Sequence, residues 1–391
     1  MGNIFDYLQW RGDLDFNRDD FNEVDNLILS LLSYLEFEGL VSDKIDGKKI
    51  PLSKVAEHFK THKFKSPAFY GNPFFVRIPE LLQKAVETHR FSDVQLSGYV
   101  NEINYDQSNQ FSALVFSLDN LHHFIAFRGT DDTLAGWKED FQMSFMEEVP
   151  AQKQAAAYVN SIIPKIKGQI CLGGHSKGGN LAVYGAIKSN EKIRDSIVSV
   201  YNNDGPGFQA NVIQSPGYQS MLNKIHTFIP KSSIVGLLLE HGEEYKVIGS
   251  SGVAIMQHNL LNWKISGAHF IYENGLTNNS RNFDKALSSW LNQLSIEQRT
   301  DFVDALFEII QATGAQTLSQ LSREKINSVE IMVKTYKNMD PTVQRLLKVT
   351  IEAFFMESKN VLQKSIEKNL NMLFKRNKFI TLKKPTLKIK K

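Results

Sequence analysis

The sequence predicts an α/β fold with a mostly parallel central sheet, and three observations carry that expectation. After Thr130, helical and strand patterns alternate as Gln152 to Ile166, Gln169 to Gly173, Lys177 to Ser189 and Ile197 to Tyr201. Parallel strands with crossover helices produce that order. Before it, Val94 to Asn104, Ser112 to Leu118 and His122 to Phe127 show period-two patterning, separated by the turn signals Asp106-Gln-Ser-Asn109 and Asp119-Asn120. These read as a β-meander that leads into the main sheet. Finally, a glycine-flanked serine stands where a strand pattern passes directly into a helical one.

The remaining elements follow from the same signals. The first hundred residues look helical, beginning with Phe21 to Val41, where Leu27, Leu31, Leu32 and Leu35 recur at helical spacing. Pro51 and Pro79 each mark the first turn of a further helix. Ile225 to Ile229 and Tyr245 to Gly249 extend the sheet, and beyond about residue 280 the pattern turns helical again. There Ser295-Ile-Glu-Gln298 is a capping box, and Asp340-Pro341 pairs an N-cap with proline at the first helical position. The expected organisation is an N-terminal helical region (1–92) packed on a core (93–279), then a helical extension (280–373) and a basic tail (374–391).

Composition narrows the class. The chain has 391 residues, 42% of them hydrophobic, and one cysteine, Cys171. A single cysteine excludes intramolecular disulfides and multi-cysteine metal sites, and its place in a predicted core strand suits a buried, inert thiol. No N-terminal run reads as a secretory signal, because Asp6, Arg11, Asp13 and Asp15 interrupt it, so a cytoplasmic protein is expected. The tail holds eight Lys or Arg and no acid; the whole-chain charge of +3 less these eight leaves −5 on the rest. Such a tail reads either as a solvated end or as a segment drawn to an anionic membrane surface. Nucleic acid is not an expected partner, because no basic patch interleaved with aromatics lies elsewhere.

The chemistry centres on Gly174-His175-Ser176-Lys177-Gly178, a G-x-S-x-G pattern. An apolar run enters it and Leu181, Ala182, Val183 and Tyr184 leave it, which is the strand, tight turn and helix of a nucleophile elbow. Glycine at 174 and 178 relieves the clash that such a turn would cause. A phosphate-binding loop is the competing reading, and it fails because Lys177 follows the serine with no hydroxyl residue after it. An alcohol at neutral pH is a weak nucleophile, so Ser176 needs a base, usually a histidine oriented by a carboxylate. Downstream candidates are His226, His241, His258 and His269.

Phe127-Arg-Gly-Thr-Asp131, then Trp137-Lys-Glu-Asp140-Phe141, then the elbow, then His258-Asn-Leu-Leu-Asn-Trp263 resembles the class 3 lipases over roughly residues 95 to 270. The whole chain is similar to a bacterial branch of lipase-like α/β-hydrolases with a helical C-terminal extension. The resemblance implies an α/β-hydrolase fold, Ser176 as nucleophile and His258 as base. It also implies the backbone N–H groups of Thr130 and Lys177 as oxyanion hole, with Trp137 and Asp140 supporting and no metal or cofactor.

The sequence departs from that pattern at the acid. Ile229-Pro-Lys-Ser-Ser-Ile234 carries serine where class 3 lipases place an aspartate. Asp204, at the end of the strand after the elbow helix, is the expected replacement, with Glu240 in reserve. Arg128 is expected to anchor local backbone, and His175 to point away from the nucleophile and pack. The expected activity is a serine ester hydrolase acting on a lipid or other ester with an apolar acyl group. Alternatives are a non-catalytic scaffold that binds a partner or membrane, and a thioesterase or peptidase with the same triad. Lys177 and the basic tail together point toward an anionic lipid; a surface-facing lysine is the plainer alternative. Ile234 to Leu239 reads as acyl-pocket lining or as core.

Overall fold

In the computed structural model, residues 2–62, 74–278, 280–281, 295–317, 320–321, 325–345 and 347–348 are described. The chain divides into two units, residues 1–339 and 340–391, and the sheet with the helices around it belongs to the first. The basic tail lies outside the described residues.

Eight strands form one sheet in chain order: β1 (Ile50–Pro51), β2 (Gln95–Asn104), β3 (Asn109–Ser117), β4 (His122–Phe127), β5 (Gln169–His175), β6 (Ile197–Asn203), β7 (Ile225–Pro230) and β8 (Tyr245–Ile248). The pairings from β1 to β4 are antiparallel and those from β4 to β8 are parallel. The meander and the alternating segment are thus halves of one sheet, the arrangement of an α/β-hydrolase fold. Period two sorts its side chains onto two apolar layers. On β4, Phe124 and Ala126 enter one layer while Ile125 and Phe127 enter the other. On β3, Leu114 and Phe116 face the first and Ala113 and Val115 the second.

The first layer is closed by the N-terminal helices α1 (Ile4–Arg11), α2 (Glu23–Leu32), α3 (Leu52–Thr61) and α4 (Ile78–Val86). All ten residues of α2 are buried, including Asp25, Asn26 and Ser30. Each of these polar groups has a partner, as burial demands. Arg90 makes two hydrogen bonds to Asp25, Nε to Oδ1 at 2.8 Å and Nη2 to Oδ2 at 2.5 Å. Asn26 and Asn203 exchange amide hydrogen bonds across the face of the sheet, at 2.9 and 3.0 Å. The helix expected to run to Val41 stops at Leu32. There the Tyr34 and Leu35 N–H groups bond three residues back, to Leu31 and Leu32, and the Ser33 hydroxyl donates to the Ser30 carbonyl. This tightened last turn satisfies the terminal carbonyls and ends the helix.

The second layer is closed by α6 (Pro150–Ile162) and α7 (Lys177–Ile187), with α5 (Leu134–Met143) preceding them. The short helices α8 (Glu191–Ser196), α9 (Ala210–Ile213) and α10 (Pro216–Met221) lie between the later strands. A two-residue hairpin, β9 (Ile265–Ser266) with β10 (His269–Phe270), returns the chain to the first layer, where Trp263 and Phe270 are buried. In the extension, α11 (Ile296–Gln311) begins at the predicted Ser295 capping box and is followed by α12 (Lys325–Asn338). Phe307 of α11 packs against Phe141 of α5 at 5.9 Å between ring centroids, and Asp304 pairs with Lys138 at 2.8 Å. Among the described residues no helix is long and apolar enough to cross a membrane.

Candidate active site

Ser176 sits between the last residue of β5 and the first of α7 with φ +56° and ψ −132°. A non-glycine residue held there stores on the order of 1–3 kcal/mol of strain. The flanking glycines are required by close approach. A Cβ on Gly178 would lie 2.1 Å from the Phe127 carbonyl oxygen, and one on Gly174 would lie 2.4 Å from the Gly178 backbone. The turn is held across the sheet by the Ser176 N–H, which donates to Asn203 O at 3.0 Å. Ser176 is only 8% exposed, so the serine is buried at the end of β5.

The next strand, β6, ends at Asn203, and Asp204 follows with φ +54° and no exposure. Its Oδ2 lies 2.7 Å from His258 Nδ1. Because a carboxylate accepts, Nδ1 carries the proton and His258 Nε2 is left as the basic nitrogen. The other carboxylate oxygen accepts from the Ser233 hydroxyl at 2.5 Å, and Ser233 Oγ in turn accepts from the Gly236 N–H at 3.0 Å. Ser233 is one of the two serines standing where the acid was missing. It serves the carboxylate it failed to supply. Glu240 is exposed, and its backbone bridges Phe208.

His258 ends a short 3₁₀ turn, Ala254–His258, with Phe74 set edge-on at 6.2 Å between ring centroids. Of the other histidines, His226 packs on Tyr201, His241 contacts Glu243 and the Gly236 carbonyl, and His269 is exposed near Glu23. Of these four, His258 is the one that meets Asp204 among the described residues.

Thr130 follows β4, and its hydroxyl donates to Asp140 Oδ2 at 2.6 Å. The carboxyl of Asp140 is enclosed, and among the described residues Oδ1 has no hydrogen-bond partner. Burial raises this carboxyl to about 6 against the pull of Lys177 and of the Thr130 hydroxyl. Trp137, three residues earlier on α5, is 40% exposed. Arg128 is buried, and among the described residues its guanidinium bonds side chains and not the local backbone it was expected to anchor: its Nη2 donates to Asn101 Oδ1 at 2.5 Å and to Asp131 Oδ2 at 3.3 Å.

Lys177 corrects an expectation. Neither the anionic-ligand contact nor the surface-facing reading holds, because its side chain is fully buried. Its ammonium donates to Glu139 Oε2 and to the Gln110 carbonyl, both at 2.9 Å. A cation at a helix N-terminus opposes the helix dipole by about 0.3–1 kcal/mol, which Glu139 offsets. Glu139 also accepts from the Gln110 and Ala151 N–H groups at 3.1 and 2.8 Å. As the first residue of α7, Lys177 has a backbone N–H with no intrahelical acceptor.

His175 is buried, as its expected packing role requires, and both ring nitrogens are also committed: Nδ1 lies 2.9 Å from the Tyr34 hydroxyl and Nε2 lies 2.9 Å from the His258 carbonyl oxygen. Sequence reasoning missed Tyr34 and Glu139. Glu139 lies inside the W-x-x-D segment, and an acid beside Asp140 was its signal; Tyr34 had none.

Among curated proteins no sequence matches the chain. Among solved structures it is similar to the crystal structure of M37 lipase, at 17% identity over 56% of this chain and 70% of that one, with a TM-score of 0.35. The family model described as Mbeg1-like matches residues 85–308, more than half of the sequence, and the chain therefore belongs to the Mbeg1-like family.

Proposed function

We propose that the protein is a serine ester hydrolase in which Ser176 attacks the ester carbonyl, His258 takes and returns the proton, and Asp204 orients the imidazole. The observation that carries this reading is the 2.7 Å contact between Asp204 and His258 Nδ1, at the sheet edge where Ser176 is held in a strained turn. With Nδ1 engaged, Nε2 is the nitrogen that would accept the serine proton. The Lys177 N–H at the head of α7 and the N–H of Thr130 would bind the developing oxyanion, where losing one donor costs on the order of 3 kcal/mol. Phe74 beside His258 supports an apolar acyl or alcohol group as substrate. The basic tail would bring the enzyme to anionic lipid.

The test is hydrolysis of p-nitrophenyl acyl esters together with covalent labelling by a fluorophosphonate probe. Ser176→Ala is expected to abolish labelling and to reduce hydrolysis to background. Equal turnover by wild type and Ser176→Ala would remove the assignment. For the tail, flotation with vesicles rich in anionic lipid is expected to exceed flotation with zwitterionic ones.

A further inference from the structure

One hydroxyl from outside the family-matched segment lies where three parts of the site meet. Tyr34 follows α2, and residues 85–308 are the matched ones. Its oxygen is 2.9 Å from His175 Nδ1, next to the nucleophile. A Cβ on Gly129 would lie 2.2 Å from the same oxygen, so the hydroxyl also fills the space beneath the turn that carries Thr130. Through His175 it reaches the third part, since His175 Nε2 is 2.9 Å from the His258 carbonyl oxygen.

The hydrogen-bond roles follow from chemistry. A carbonyl oxygen only accepts, so the proton of the His175 ring is on Nε2. Nδ1 of the neutral ring then accepts, and the Tyr34 O–H donates to it. Burial holds His175 well below the ordinary histidine range, and the neighbouring His258 ring acts in the same direction, which keeps the ring neutral and this tautomer in place. The two imidazoles lie 4.3 Å apart between centroids. His258 itself is carried on a 3₁₀ turn and not on a strand or long helix. Its ring is tied to Asp204 through Nδ1, and its backbone is tied to the elbow through His175.

We propose that Tyr34 and His175 are positioning residues that fix the backbone of His258 against the elbow, so that Nε2 is presented to Ser176. The inference rests on His258 being the base. It gives the N-terminal helical region a part in the chemistry of the site, since α2 and the turn after it set the position of the Tyr34 hydroxyl.

Three variants test it, with melting temperature, kcat and KM measured on the full chain. His175→Phe keeps a buried ring but loses both hydrogen bonds; His175→Gln can donate to the His258 carbonyl through its amide. Tyr34→Phe removes a single oxygen. Displacing a catalytic group by about an ångström costs up to about 10²-fold, so His175→Phe is expected to lower kcat by at least about tenfold with KM within about twofold. His175→Gln should recover most of that loss, and Tyr34→Phe should lower kcat by about three- to tenfold. Wild-type kcat in Tyr34→Phe and His175→Phe, or a His175→Gln variant no better than His175→Phe, overturns the proposal. Should His175→Phe fail to fold, Tyr34→Phe alone decides it. His258→Asn separates the two ideas: full activity there removes the base assignment, whereas an inactive His258→Asn beside unaffected Tyr34 and His175 variants removes only the positioning role.

Discussion

The enclosed carboxyl of Asp140 makes stability depend on pH in a direction opposite to that of most carboxylates. Its Oδ2 accepts from Thr130 at 2.6 Å while Oδ1 has no partner among the described residues, and burial raises it from 3.8 to about 6. In the folded protein the proton is therefore retained over a range where the unfolded chain has lost it. Between pH 3.8 and 6 the native state binds more protons, and stability must fall as pH rises through that window. A rise from 3.8 to about 6, at about 1.36 kcal/mol per pH unit, places the full loss at about 3 kcal/mol well above pH 6. Asp140→Asn keeps an acceptor for the Thr130 hydroxyl and cannot ionise. Urea denaturation of wild type and Asp140→Asn at pH 4 and pH 7.5 isolates the contribution of this carboxyl, since every other titrating group is common to both. The variant should gain about 2–2.5 kcal/mol on wild type between the two pH values, since part of the loss is already complete at pH 4. A difference that is constant with pH, or that changes with the opposite sign, refutes the argument.

Two further perturbations follow from the charges and hydroxyls under the site. Lys177→Met strands the buried Glu139 carboxylate and should destabilise the protein by about 3–5 kcal/mol, the cost of breaking a buried pair; a urea midpoint unchanged from wild type would contradict it. Ser233→Ala removes the only hydroxyl bonded to Asp204 Oδ1 among the described residues. A hydrogen bond to a charged group is worth about 1.5–3 kcal/mol, so kcat for ester hydrolysis should fall by about tenfold or more, and an unchanged kcat would show that Asp204 is held without it.

The sheet was legible because its signals are local. Alternation on β3 and β4 and the strand-helix order from β5 to β6 each follow from a residue and its neighbours, and the structure places these strands within a few residues of their expected bounds. The edge strand Ile50–Pro51 was not legible, because two residues carry no period. Nor was the end of α2 at Leu32, since the leucine spacing continues to Leu35 and only the tightened hydrogen bonds reveal the stop. The site divides in the same way. Ser176 with its glycines is a property of five consecutive residues. The Asp204 contact joins positions 54 apart and the Tyr34 contact joins positions 141 apart, so each depends on how layers stack. The fate of Lys177 was misread for that reason: a lysine beside a serine says nothing of an acid on the helix packed above it.

The position of Asp204, the proposed acid, is a consequence of the parallel sheet. Strands β6 and β7 are neighbours, with Asn203 opposite Phe228, and the Asp204 N–H donates to Phe228 O at 2.9 Å. Residues just past the two strand ends must therefore converge, and Ser233 Oγ does lie 2.5 Å from Asp204 Oδ1. If that convergence sets the geometry, a carboxylate at the end of β7 should reach the same histidine turn, with a short hydroxyl at the partner position. Exchanging the two residues tests whether geometry, and not residue number, selects the acid. Asp204→Ser alone should lose about 10²-fold or more in kcat, because an unoriented imidazole serves poorly as base. Adding Ser233→Asp to it should restore at least about tenfold, as the new carboxylate occupies the gap left by the old one. A double variant no more active than Asp204→Ser would show that the left-handed backbone at Asp204, with φ +54°, aims the carboxylate in a way that the end of β7 cannot reproduce.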